Sequence, residues 1–130
     1  MNRQAEELKA RTAAFARAVI ALCEWASNTV AVRKVVAQLI DSATSVAANY
    51  RTACRARSRA EFVAKMAVVR EEADESEGWL AMLRDMNAMP RDTVESLRHE
   101  ASELTAIANA SYMTAKSRLD EERRRKRGDG

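Results

Sequence analysis

Residues 58–83 read SRAEFVAKMAVVREEADESEGWLAML, and their reading decides the fold. Within them Phe62, Met66, Val69, Ala73, Ser76, Leu80 and Leu83 recur at alternating steps of four and three. That spacing lays one largely apolar stripe down a single side of a helix. The stretch opens on Ser58-Arg59-Ala60-Glu61, a capping box. In it a serine hydroxyl and a glutamate carboxylate satisfy amides that the first helical turn leaves without partners.

Working outward, three more runs share the period. They are Leu8, Thr12, Phe15, Val19, Leu22, Ala26; then Val32, Val36, Leu39, Ala43, Val46, Tyr50; and last Val94, Leu97, Ala101, Leu104, Ala108. Val35, Ile40 and Ile107 widen the stripes. Ser27-Asn28-Thr29 supplies capping side chains before Val30, Pro90 ends the third run, and Asp92-Thr93-Val94-Glu95 is a weaker start signal for the fourth. The predicted helices are 3–26, 30–56, 59–87 and 92–125. Connections this short force consecutive helices to be antiparallel neighbours, so the expected fold is an all-α, up-down-up-down four-helix bundle. A continuous coiled-coil rod would need heptads running unbroken through the capping box and Pro90. The predicted division is a bundle over 1–122 and a basic, disordered tail over 123–130.

Composition agrees with this reading. The 130 residues contain 3 glycines and 1 proline, too few turn formers for a sheet protein of this length. Aromatic residues make up only 5%, so the core is aliphatic and alanine-rich. Such a core buries less area per residue, which favours burial by self-association.

Several function classes find no support. His99 is the only histidine, so the carboxylate run Glu71-Glu72-Asp74-Glu75-Glu77 lacks the Glu-x-x-His pairs of a di-metal bundle. No metal or other cofactor is expected. His99 has no cysteine near it in sequence, and no glycine loop offers an oxyanion turn or a phosphate cradle. No enzyme is implied. Uncharged stretches fall far short of the roughly 20 apolar residues a membrane span needs. The N-terminus lacks an apolar signal core, so the expected location is cytoplasmic, with no membrane partner. Cys23 and Cys54 fall at opposite ends of the predicted bundle and are expected to be reduced thiols.

Two features are candidates for contacts. Trp25 and Trp79 each sit one position from a stripe residue, at similar predicted heights on helices running the same way. They either close the upper end of the bundle or cover a subunit interface, where tryptophan is enriched. The other feature is cationic: Arg51, Arg55, Arg57, Arg59 and Lys65 around the second connection, and Arg123, Arg124, Arg125, Lys126 and Arg127 near the C-terminus. Cations at the C-terminal ends of helices complement the helix dipole, and that alone accounts for part of the pattern. Topology, however, gathers residues 1–11, 51–65 and 116–130 at one pole. Their formal charge sums to +8, in a chain whose net charge is +3.

Across the middle of the chain the sequence resembles a known family. The residues that carry the likeness are Gln38-Leu39, Ser42, Ser45-Val46, Asn49-Tyr50-Arg51, Arg55-Ala56-Arg57-Ser58, Phe62, Lys65-Met66, Glu71-Glu72-Ala73-Asp74-Glu75 and Trp79-Leu80. In these it resembles the four-helix-bundle proteins encoded in intervening sequences of bacterial large-subunit ribosomal RNA. That group also takes in the accessory variability determinant of diversity-generating retroelements. The likeness covers roughly residues 15–86 well, and the fourth helix by length and pattern only. It implies a ring-shaped homopentamer without catalytic activity. It also implies a positive surface suited to RNA or an RNA-binding partner. The leading expectation is a module that binds RNA or DNA, or a nucleic-acid-processing partner such as a reverse transcriptase, through the basic pole. The competing expectation is a structural or protein-interaction scaffold whose arginines serve dipoles and ion pairs between subunits.

Overall fold

Three of the four helices begin where a side chain replaces a missing backbone partner. In the computed structural model, which describes residues 2–128, α1 spans Arg3–Cys23, α2 Val30–Ala53, α3 Arg59–Asp85 and α4 Arg91–Lys126. The Asn2 side chain accepts from the Ala5 amide, Thr29 from Val32, and Ser58 from Glu61. Glu61 reaches back to accept from the Arg57 amide at 3.3 Å, one residue earlier than a standard capping box would place it. Pro90 precedes α4 without a side-chain cap. α3 closes through Asn87, whose φ of 52° is a left-handed conformation that asparagine tolerates.

The helices form an antiparallel square in which α3 packs most heavily, against α4 on one side and α2 on the other. α1 leans on α2 and touches α4 only thinly, and the backbones of the diagonal pairs stay more than 8 Å apart. The predicted stripes form the core: Phe15, Val19 and Leu22 from α1 meet Leu39, Ala43 and Val46, then Met66, Val69 and Leu80, then Val94, Ala101 and Leu104. At its centre the Ser42 and Ser76 hydroxyls lie 2.8 Å apart, and each also reaches a carbonyl of its own helix. This fixes the relative height of α2 and α3, because a buried hydroxyl without a partner costs stability.

Four expectations need correction. α1 stops at Cys23 rather than 26, so Trp25 lies in the connection and not on a helix. Phe62 is only half-buried; Val63, one residue on, takes the inward place. The fourth stripe does not end at Ala108 but continues through Tyr112, Ala115 and Leu119, which join Phe62 and Val63 in a second apolar cluster. Finally, residues 123–126 are not a separate tail: α4 runs without a break to Lys126. The physical reason is local, since cations in a last turn complement the helix dipole, and Arg125 pairs with Glu121 one turn back at 3.9 Å. Asp129 and Gly130, also assigned to the tail, lie outside the described residues.

Both cysteines are free, Cys23 at the end of α1 and Cys54 capping α2 at the opposite end of the bundle. Burial pushes the Cys23 thiol up to about 11, which keeps it protonated and unreactive at neutral pH. Among the described residues no helix is long and apolar enough to cross a membrane.

Candidate nucleic-acid interface

The pole formed by the start of α1, the α2–α3 connection and the end of α4 is built by two contacts. Arg59, the first residue of α3, donates to Glu122 of α4 at 2.6 Å. Beside it, Phe62 and Val63 pack on Tyr112, Ala115 and Leu119. Together they bring the two basic segments, far apart in sequence, to the same end of the molecule. Arg51 lies in the last turn of α2, Arg55 and Arg57 in the connection, and Arg123 to Lys126 in the last turn of α4. Lys65 is half-buried on α3 and the least available of the group.

The cations of the molecule divide into paired and unpaired groups. Arg11 grips Glu100 through two hydrogen bonds of 2.7 Å and reaches Glu103 at 3.0 Å. Arg98 bonds Glu77 at 2.6 Å and Glu95 at 3.2 Å, while Arg84 bonds Glu95 and Asp85, each at 3.0 Å. These bonds hold the Arg84 and Arg98 guanidinium groups above their usual range and the Glu95 carboxyl below its own. By contrast Arg51, Arg55 and Arg57 are exposed and make no ion pair. Arg123 and Arg124 are exposed too, near enough to Asp120 to help Lys116 lower its pKa. Of the predicted set, Arg59 is committed to Glu122 and Arg125 to Glu121.

Two depressions flank the pole. One, about 700 Å³, opens where α1 and α4 diverge and is lined by Leu8, Tyr50, Phe62 and Ile107 among others. The second, about 630 Å³, runs between α1 and α2 from Glu6, Lys9, Arg51 and Arg55 up to Ala16 and Thr44. Sequence reasoning counted Lys9 in the charge of residues 1–11 but did not set it beside Arg51, because that depends on the height at which α1 meets α2.

The tryptophans separate. Trp79 is half-buried and packs on the core, whereas Trp25 is 75% exposed in the α1–α2 connection. Of the two, only Trp79 packs against the bundle's core. His99 is exposed, with Glu103 3.8 Å from its ring. Among the described residues no group of three metal-ligating side chains converges.

Fold and charge distribution together define a small all-helical bundle protein with one concentrated cationic end. The chain belongs to the 23S rRNA-intervening sequence protein family, whose sequence profile matches residues 6–110. The match takes in Arg51 to Lys65 and stops short of the basic end of α4. Among solved structures, the chain is similar to a protein with unknown function from the S23 ribosomal protein family of Bacteroides thetaiotaomicron. The two share 27% identity and superpose with a TM-score of 0.74, over 84% of this chain and 97% of the other. No curated protein matches the sequence.

Proposed function

We propose that this protein is a non-enzymatic, homo-oligomeric helical module that binds nucleic acid through its basic pole, RNA in the first instance. A nucleic-acid-processing partner such as a reverse transcriptase is a second candidate for the same surface. The observation that carries the reading is the contrast in pairing. Arg84 and Arg98 on the α3–α4 side are paired with carboxylates, whereas Arg51, Arg55 and Arg57 sit together at one end without them. Unpaired guanidinium groups can take phosphate oxygens two at a time. Dipole compensation explains cations at the ends of α2 and α4, but not Arg57, which lies between helices. The family resemblance adds the expectation of a five-membered ring, which would repeat the pole around an axis and strengthen binding by avidity. The alternative is a protein-interaction scaffold that binds no nucleic acid.

An anisotropy titration with labelled RNA and duplex DNA separates the two. The intact protein should bind at low salt and lose affinity steeply as salt rises, because bound phosphates release counterions. Arg51→Glu combined with Arg55→Glu should weaken binding by on the order of tenfold or more, and truncation after Asp120 should lower the salt slope. Absence of binding at low salt, or equal binding by all three proteins, would leave the scaffold reading in its place.

A further inference from the structure

The α1–α2 side of the bundle has the chemistry of a buried face but is covered by nothing in this chain. Between Arg11 and Glu24, α1 carries a single charge, Arg17, and its outward positions are Ala10, Ala14, Ala18, Ile20 and Ala21. The groove beside it is lined by alanines of both helices, and Ile20 continues its line one turn beyond Ala16, 43% exposed. Trp25 and Val30 stand exposed above it. Its rim carries Lys9, Arg51 and Arg55 against one carboxylate, Glu6, which pairs with Lys9 at 3.4 Å; Arg17 lies on the same side of α1 without an ion pair.

α3 carries the complementary surface. From Glu71 to Leu83 it has no basic residue, and Glu71, Asp74, Glu75, Gly78 and Met82 are all exposed. None of Glu71, Asp74 or Glu75 pairs with a cation. Gly78 weakens an isolated helix relative to alanine, yet a Cβ there would meet nothing within 4 Å. A glycine with no use inside the bundle is explained by a second helix approaching it from outside. Met82 beside it is 47% exposed.

The two surfaces also match in height. Ser42 faces Ser76, and the groove sets Ala16 near Thr44. Counting up each helix from these contacts brings Glu75 to the level of Arg17, Gly78 to that of Ile20, and Glu71 to that of Ala13. α1 and α3 are diagonal in the bundle, so their outward faces point away from each other, as neighbours in a ring require.

We infer that the α1–α2 face of one copy receives the α3 ridge of a second copy. The poles are aligned, with Arg17 against Glu75, Ile20 against Gly78, and Met82 toward Trp25. This rests on the oligomeric part of the proposed function and assigns its contact. The contact is heterologous, which generates a closed ring or an open fibre rather than an isolated two-fold dimer.

The test is light scattering behind size exclusion on the full chain, with circular dichroism as the control for folding. The wild type should run well above the 14.5 kDa of one chain. Arg17→Glu and Glu75→Arg should each shift the mass toward one chain at unchanged helicity, and the double variant should restore assembly. Gly78→Trp should dissociate the assembly while the helices persist. A monomeric wild type would overturn this contact together with the oligomeric reading. An assembled wild type whose mass none of these variants changes, or a double variant that fails to recover, overturns the contact alone.

Discussion

The α3–α4 side and the α1–α2 side of this bundle share one core but are finished differently. Along α3–α4, polar side chains cross from helix to helix at successive heights: Arg59 to Glu122, Arg70 to Asn109 and over the Tyr112 ring at 4.1 Å, Glu77 to Arg98, Arg84 to Glu95. Among the described residues no side-chain hydrogen bond or ion pair joins α1 to α2, which meet through apolar packing alone. Outward, α4 shows mainly polar and charged residues and α1 shows alanine. Burial holds both sides together, while the outer surface of each records what it meets. One side is matched to water and the other has much less to offer it.

If burial dominates on both sides, truncating the core should outweigh any polar loss. Phe15→Ala, at a ring only 2% exposed on the sparsely cross-linked α1, should cost about 3–5 kcal/mol in a denaturant melt. Phe62→Ala should cost clearly less, since that ring is half-buried at the edge of a cleft. The reverse order would mean that α1 is not a full member of the core. Next in size, Leu119→Ala should cost about 2 kcal/mol or somewhat more, because the side chain is 8% exposed and anchors the extension of α4. Hydrogen exchange should show the loss concentrated after residue 111; a uniform loss would argue against a separate second cluster.

The polar clasps should matter less. Arg11→Ala removes the double bond to Glu100 that ties α1 to α4. The pair is part-exposed and screened, so the expected cost is about 0.5–1 kcal/mol, falling at high salt. A loss several times larger would show that α1 depends on this clasp rather than on its core face. The smallest effect is expected at Glu72. Burial first, then Glu75, Glu71 and Asp41, raise its carboxyl above the usual range. The native state therefore holds this proton to a higher pH than the unfolded chain, so the contribution is lost as pH rises through that window. Glu72→Gln should raise the melting temperature at neutral pH, and the gain should vanish below the unfolded carboxylate value of about 4.3. A gain that persists in acid would point to a cause other than charge.

Much of the architecture was legible in one dimension. Heptad spacing named nearly every core residue, and the caps at Thr29 and Ser58 fall where the sequence signals placed them. Both signals act within one or two turns, so neighbouring residues carry the whole of the information. The misplacements share a different cause. Phe62 and Val63 are adjacent and both apolar, and only the angle at which α3 meets α4 decides which turns inward. Trp25 looked helical because Ala26 continued the period, yet the chain leaves α1 at Cys23 to hydrogen-bond Ser27 to the Ala88 carbonyl across the molecule, at 2.9 Å.

The candidate site divides along the same line. The sequence by itself determined the helices, their antiparallel order, and therefore that residues 51–65 and 116–128 share a pole. Which cations there remain unpaired was decided by tertiary structure alone: Arg59 lies among the others in sequence, but Glu122 arrives beside it from another helix. The exposed α1–α2 face likewise appears only after assembly of the bundle. An alanine at position 10 or 47 is compatible with either a core or a surface, and only the packed neighbours settle which. Periodicity is local and survives in one dimension. Pairing and exposure depend on distances between helices, which a linear sequence does not contain.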